Sequence, residues 1–520
     1  MGTVAVHAAR DPDRVAVILG NGEATETFGQ LERGSRRLGH LLRRRGLSRA
    51  GCVAALLDNA DPAFWDLYWA CHRVGLYFTP VNWHLQEEEV RYIVDDSDAV
   101  ALFASRRFGD VAQRVAARCP KLRLRIVTTG ELEGFEPLAA ALADAPEDAP
   151  LADEREGAVM LYSSGTTGRP KGVRRPLPDV PAGHASVANF AKGFMGLFGI
   201  GEGDRYLCPA PLYHAAPIGF TSSHLRIGAS IVVMRRFDPE EALRCIQDQQ
   251  VTTSQWVPTH FRRLLQLPES VRRRYDVSSL RVAIHAAAPC PIPVKRAMIE
   301  WWGDAILEYY AGTEGGGTLI RAKEWLAREG SVGRHWTGGK VWILDEQGRE
   351  VTQPGVEGAI YFEAPATGRF SYYKDDAKTA ATWRGNLFTI GDIGYLDAEG
   401  YLFLTDRQSN MIISGGVNIY PQETENHLIV HPKVSDVAVI GVPDEEMGEA
   451  VRAVVIPAPG AEPGPELERE LIEYCRQGIA HYKCPHRIDF VRELPRTETG
   501  KMAKRVVRAK YWEGHTSKLV

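Results

Sequence analysis

The chain has 520 residues, too many for a single hydrophobic core, so two or more domains are expected. With 44% hydrophobic and 25% charged residues it has the composition of a soluble globular protein, and a net charge of −4 excludes a global field drawing in nucleic acid or anionic lipid. The opening Met1-Gly-Thr-Val-Ala-Val-His7 has no basic stretch followed by a long apolar one, so no signal peptide is read; no run of about 18 apolar residues could span a bilayer, and a cytoplasmic protein is expected.

The first part alternates helix and strand signals. Residues 28–46 place Leu31, Leu38, Leu41 and Leu42 opposite a strongly basic face, which predicts an amphipathic helix. Val53–Leu57 reads as a buried strand, and Asp61-Pro62 opens a second helix with Phe64, Leu67 and Tyr68 on one face. Tyr77–Val81 and Val100–Phe103 read as further strands. Strands alternating with helices imply an α/β architecture with parallel sheets. The Ala/Asp/Pro-rich stretch from Glu136 to Glu156 predicts a solvated connection. Gly391 to Leu404 patterns as a hairpin with Gly400 near its turn. Composition shifts near Arg407. Beyond it come a helix from about Pro421, strands Val434–Val442 and Val451–Ile456, a helix from Pro465 to about Ile479, and a strand Ile488–Val491. These form a second, smaller domain, giving boundaries of 1–406 and 407–520. The eight cysteines are scattered, with neither a C-x-x-C pair nor zinc spacing, and are expected as reduced structural thiols.

The most specific signal is Leu161-Tyr-Ser-Ser-Gly-Thr-Thr-Gly-Arg-Pro-Lys171-Gly172. It holds three glycines, four Ser/Thr hydroxyls and one lysine. Glycines bring backbone N–H groups close to a ligand, and hydroxyls and lysine add donors suited to phosphate oxygens. The apolar Ala158–Tyr162 before it predicts a buried strand leading into a polyphosphate loop. It is not a Walker loop, because Lys171 is followed by Gly172.

With Tyr309-Tyr-Ala-Gly-Thr-Glu314, Gly391-Asp392, Asp406-Arg407, Ser414-Gly-Gly416 and Thr499-Gly-Lys501 in that order, nearly the whole chain resembles the adenylate-forming superfamily of acyl-CoA synthetases, luciferases and peptide-synthetase adenylation domains. The resemblance implies a large N-terminal domain of βαβ-type layered sheets and a small, mobile α+β C-terminal domain that rotates between two half-reactions. It also implies site residues. Ser163, Ser164, Gly165, Thr166, Thr167, Gly168 and Lys171 would hold the β- and γ-phosphates of ATP. Thr313 would bind phosphate and Glu314 would hold Mg²⁺, a hard cation preferring carboxylate oxygen. Tyr310 and Gly312, with Ala287 and Ala288 of the segment His285–Cys290, would border adenine. Asp392 would accept the ribose hydroxyls, and Arg407 would add a ribose contact. Lys501, in a basic tail with Lys504, Arg505 and Arg508, would bridge carboxylate and α-phosphate as a mobile point charge. His214 matches a gate beside the acyl carboxylate. Trp256 either lines the acid pocket or belongs to the core, and Gly315–Gly317 either widen a substrate channel or serve a loop. Gly415 and Gly416 would let a pantetheine arm of CoA pass.

Two departures from the family pattern stand out. Ser409-Asn410 replaces the charged pair that holds the family's hinge, and the segment after Pro211 lacks the Phe-Asp pair that grips an amino-acid substrate. The expected activity is therefore ATP-dependent activation of a small-molecule acid as its adenylate, with release of pyrophosphate and transfer to CoA. The alternatives are transfer to a carrier protein, adenylation of nitrite to diazotise an aryl amine, or a non-catalytic nucleotide-binding regulator. No nucleic acid or membrane partner is expected.

Overall fold

The computed structural model describes residues 3–146, 149–163, 170–364, 369–407, 410–414, 417–444, 447–496 and 502–513. The predicted amphipathic helix runs Phe28–Arg44 and starts in a capping box, with Thr27 N–H donating to Gln30 Oε1 at 2.8 Å and Gln30 N–H to Thr27 Oγ1 at 3.2 Å. Its leucines are buried as expected. Its basic face is not left to water. Arg37 donates to Leu142 O, His40 to Ala149 O, Arg43 to Asp153 O and Arg44 to Asp144 O, at 2.8–3.1 Å. The stretch 136–156 is thus a connection docked on this helix, with many of its described residues exposed as expected. It carries a strand Glu136–Pro137 and a helix Leu138–Ala141, and it ends on Glu156, which is buried against Arg226 at 2.6 Å. Unpaired carbonyls of an irregular segment met guanidinium donors, and both were satisfied.

The helix predicted from Asp61 begins at Phe64 and is buried on every side, because it lies between layers. It packs against the sheet ordered Glu136–Pro137, Leu124–Val127, Ala99–Ala104, Cys52–Leu56, Tyr77–Pro80, Ala158–Val159, parallel throughout as expected. The apolar run 158–162 is not one strand. Ala158–Val159 closes this sheet, and after the buried Met160 the chain crosses into Leu161–Ser163 of a three-stranded antiparallel sheet with Lys171–Arg174 and Ser371–Tyr372. Ser163 pairs with Lys171 across the antiparallel ladder.

A second large sheet is mixed. Ser230–Val233, Arg205–Cys208, Thr253–Trp256, Val282–His285 and Ile306–Gly312 are parallel neighbours. Gly315–Arg321, Ser331–His335, Leu402–Arg407, Leu387–Leu396, Gly358–Glu363 and Val341–Leu344 continue it antiparallel. The predicted hairpin around Gly400 is the pair Leu387–Leu396 and Leu402–Arg407.

The small C-terminal domain has its own sheet of Val417–Ile419, Ile412–Ser414, Gly448–Pro457, Val434–Asp444 and Arg487–Phe490, with helices Pro421–Leu428 and Pro465–Gly478 against it. It touches the large domain through Arg262, which donates to Ser435 O and lies 3.6 Å from the Asp436 carboxylate; Arg496 binds the same carboxylate at 2.6 Å. The basic tail is not a solvated run either: Lys504 pairs with Glu425 at 2.9 Å, and Arg508 with Glu449. Among the described residues no helix is long and apolar enough to cross a membrane.

Candidate active site

The parallel strands Thr253–Trp256, Val282–His285 and Ile306–Gly312 all end at one cleft, where ligands of open α/β sheets bind. The cleft holds about 3130 Å³, several times a typical small-ligand pocket, and both domains contribute to its wall.

Strand alternation sends Tyr309 and Tyr310 to opposite faces. On one face the Tyr310 hydroxyl donates to Asp392 Oδ2 at 2.6 Å, and Asp392 is buried. Gly391, at φ +86°, turns the chain just before it. Arg407 stands directly across the ladder from Asp392. The sequence motifs Tyr310, Asp392 and Arg407, 97 residues apart at the extremes, thus meet on one edge.

Thr313 and Glu314 form the tight turn between Ile306–Gly312 and Gly315–Arg321. Glu314 is held twice. Its Oε1 accepts from the Tyr372 hydroxyl at 2.7 Å, and its backbone carbonyl accepts from Arg175 Nη2 at 2.6 Å. Burial, reinforced by the Glu314 carboxylate, pushes the Tyr372 phenol far above its ordinary value, so it stays a donor. Burial lowers the Arg175 guanidinium, and Glu314 opposes that. Glu314 Oε2 faces Gly312, where a Cβ would sit 2.8 Å away. Only glycine leaves that oxygen open. A carboxylate with one oxygen anchored and one clear suits a hard cation that takes its remaining ligands from phosphate and water. Lys171 lies 3.2 Å from Asp375, next to Tyr372. Sequence reasoning missed Tyr372, Arg175 and Asp375, which come together because the strand Lys171–Arg174, just before Arg175, pairs antiparallel with Ser371–Tyr372.

Ala287 and Ala288 follow the strand Val282–His285 and line the cleft. Ala287 adopts φ +78°, a conformation that a larger side chain would strain further. His214 caps the helix Ala215–Ile227, and its ring lies against Tyr213 at 4.4 Å. Trp256 serves both alternatives: it is a core residue, 1% exposed with its indole N–H donating to Ser254 Oγ at 2.6 Å, and it also borders the cleft. Gly316 and Gly317 admit rings. A Cβ on either would lie 2.5 Å from Phe362 or Trp336 respectively. Ser164, Gly165, Thr166, Thr167, Gly168, Ser409, Gly415, Gly416 and Lys501 lie outside the described residues, and Ser163 and Arg407 are described only as strand positions.

Residues 4–372 match the family model "AMP-binding enzyme", and residues 423–501 match "AMP-binding enzyme C-terminal domain". A fatty acid–[acyl-carrier-protein] ligase of Streptomyces coeruleorubidus is 30% identical, covering 98% of this chain and 96% of its own length. A feruloyl-CoA synthase of an Amycolatopsis species is 32% identical, with 98% and 99% covered. Among solved structures, an anthranilate CoA ligase in complex with anthranoyl-AMP is similar at a TM-score of 0.85 and 27% identity, covering 98% of this chain and 97% of that one.

Proposed function

The chain belongs to the AMP-binding enzymes and is an ATP-using, AMP-forming ligase, and from that premise we propose which residues carry each step and which acceptor follows. A carboxylate oxygen of a small acid attacks the α-phosphorus of ATP, and the bond to the bridging oxygen of pyrophosphate breaks. Charge gathers on phosphate oxygens, so positioning and electrostatic clamping supply most of the rate. The segment from Ser163 to Lys171 grips the β- and γ-phosphates, with Thr313 beside them. Glu314, oriented by Tyr372 and Arg175, offers Oε2 to Mg²⁺; the ion supplies charge neutralisation between phosphate oxygens when bound. Asp392 takes the ribose hydroxyls, Tyr310, Gly312, Ala287 and Ala288 border adenine, and Arg407 adds a ribose contact. Lys501 bridges the acid and the α-phosphate. His214 guards the acid's carboxylate.

The acceptor in the second step is CoA, guided past Gly415 and Gly416 after the small domain, from about Arg407 onward, turns at Ser409-Asn410. A carrier-protein acceptor is the second reading, favoured by the Streptomyces relative. ATP as substrate and eight cysteines without disulfides favour a cytoplasmic enzyme.

The observation that carries the reading is the meeting of Glu314, held from both sides, with the Tyr310–Asp392 pair at the same strand ends. ATP–pyrophosphate exchange over a panel of acids tests it, followed by mass detection of the thioester with CoA. Exchange in the presence of an acid supports the reading; formation of ADP instead of AMP would refute it.

A further inference from the structure

Tyr309 faces the side of its strand opposite Tyr310 and Asp392. There four rings from four separate segments form one continuous wall of the cleft. Phe194 of helix Ala185–Leu197 meets Trp336 edge-on at 5.8 Å and Phe220 of helix Ala215–Ile227 at 5.6 Å. Phe220 lies 5.9 Å from Tyr309, and Tyr309 lies 6.3 Å from Trp336. All four line the cleft. Aromatic faces and edges of this kind suit a flat apolar ring better than a flexible chain.

The wall has one polar point. Behind it the buried Tyr206 hydroxyl donates to Gln255 Oε1 at 3.2 Å, and Gln255 Nε2 donates to the Tyr309 oxygen at 3.3 Å. Gln255 is 6% and Tyr309 8% exposed. The relay uses the oxygen of Tyr309 as an acceptor, so the Tyr309 O–H proton is left over and takes no acceptor among the described residues. Burial holds that phenol protonated. An uncommitted donor in an aromatic recess is costly unless a ligand accepts from it. Tyr309 lies on the strand Ile306–Gly312, four residues before Thr313 in the turn, so at most roughly 13 Å of chain separates the two at about 3.3 Å per residue, with a register shift between Tyr310 and Gly312. In the ligase reading, which places the acid's carboxylate by the turn at Thr313, the donor faces the part of the acid remote from that carboxylate.

We propose that this recess selects an aromatic carboxylic acid carrying a hydrogen-bond acceptor, such as a hydroxyl or alkoxy oxygen, on the edge remote from its carboxylate, with the Tyr309 O–H as the donor to it. Gln255 is a positioning residue that fixes the direction of that hydroxyl. The inference rests on the ligase reading above, because the acid is located by its distance from Thr313.

The test is ATP–pyrophosphate exchange by the full-length protein with 4-hydroxycinnamic acid, cinnamic acid, decanoic acid and nitrite. The expected result is a kcat/KM for 4-hydroxycinnamic acid at least about tenfold above that for cinnamic acid, since a site built to bond a hydroxyl rejects the analogue lacking it. Tyr309→Phe, which deletes one oxygen, should bring that ratio close to one. Gln255→Leu should lower it partway. Exchange in the variant with cinnamic acid reports that it is folded. A preference for decanoic acid or nitrite, or a ratio unmoved by Tyr309→Phe, would overturn the proposal while leaving the ligase reading intact. Absence of exchange with every acid would overturn both.

Discussion

The two walls of the cleft are assembled in different ways. The wall we assign to the nucleotide is made of short stretches, each of which carries its proposed chemistry within a few residues: Lys171 beside its strand partner Ser163, Gly312 to Glu314 at one turn, Gly391-Asp392 at one bend. The wall we assign to the acid takes single side chains from segments scattered between Phe194 and Trp336, none adjacent in sequence to another. A polyphosphate presents the same oxygens whatever acid is activated, so the first wall is confined to one geometry. The acid varies, so the second wall can be altered one ring at a time. Changes to the nucleotide wall should therefore slow every acid by the same factor, and changes to the acid wall should alter the ratio between acids.

The largest effect is expected from Lys501→Ala. Removing a charge from the point where the α-phosphate is attacked should cost about 3–4 kcal/mol of barrier, or a loss of roughly 10²–10³ in the exchange rate. Transfer from a pre-made acyl-adenylate to CoA should be spared. Equal losses in both half-reactions would remove Lys501 from the adenylation step. Glu314→Gln comes next: the amide keeps the shape and can still accept from Tyr372, but it loses the charge. Turnover should fall for all acids alike and should not recover at saturating Mg²⁺. Activity within a few-fold of the parent under those conditions would show that Glu314 is not the metal carboxylate.

The same difference between the walls explains what could be read from the sequence. The helix Phe28–Arg44, the parallel strands, the hairpin about Gly400 and the small domain's elements all follow from periodicity and turn residues. Two local readings were incomplete because the deciding contacts are remote. The run 158–162 looks like one strand, yet it is shared between two sheets that neither sequence neighbour announces. The segment 136–156 has a solvated composition, but the arginines of a distant helix bind its carbonyls. Within the site, the residues that hold Glu314 came from strands paired across the sheet, which no single-segment pattern encodes. The alternatives left open for Trp256 and for Gly315–Gly317 turned on which ring lies against which backbone, a matter of tertiary packing.

Tyr372→Phe probes the support of the nucleotide wall and should have a middling effect. The hydrogen bond to a carboxylate is worth about 1.5–3 kcal/mol, part of which solvent restores. The variant should need several-fold more Mg²⁺ for half-maximal exchange, with little change once the ion saturates. That split distinguishes a residue orienting Glu314 from one acting on the reaction itself; a lower rate at saturating Mg²⁺ with an unchanged Mg²⁺ requirement would count against the orienting role.

The smallest effect on turnover of a small acid is expected from Gly317→Ala, and it tests the comparison most directly. A Cβ at this position would lie 2.5 Å from three ring atoms of Trp336, well inside contact distance, so the ring must move. Trp336 is partly buried against the core, so the ring shifts within the recess, and the φ of +157° at Gly317 adds backbone strain that lowers stability as well. The moved indole takes space from the acid and leaves the nucleotide untouched, since Tyr310 and Asp392 lie on the other face of the sheet. A pocket change of about one methyl group is worth roughly 1–3 kcal/mol in discrimination, so kcat/KM for a bulky aryl acid should fall about tenfold relative to a small one. The KM for ATP should stay within about twofold of the parent. If both acids fell together, or the KM for ATP rose with them, Trp336 would belong to a wall shared by the two substrates, and the division of the cleft into an invariant and an adjustable side would not hold for this enzyme.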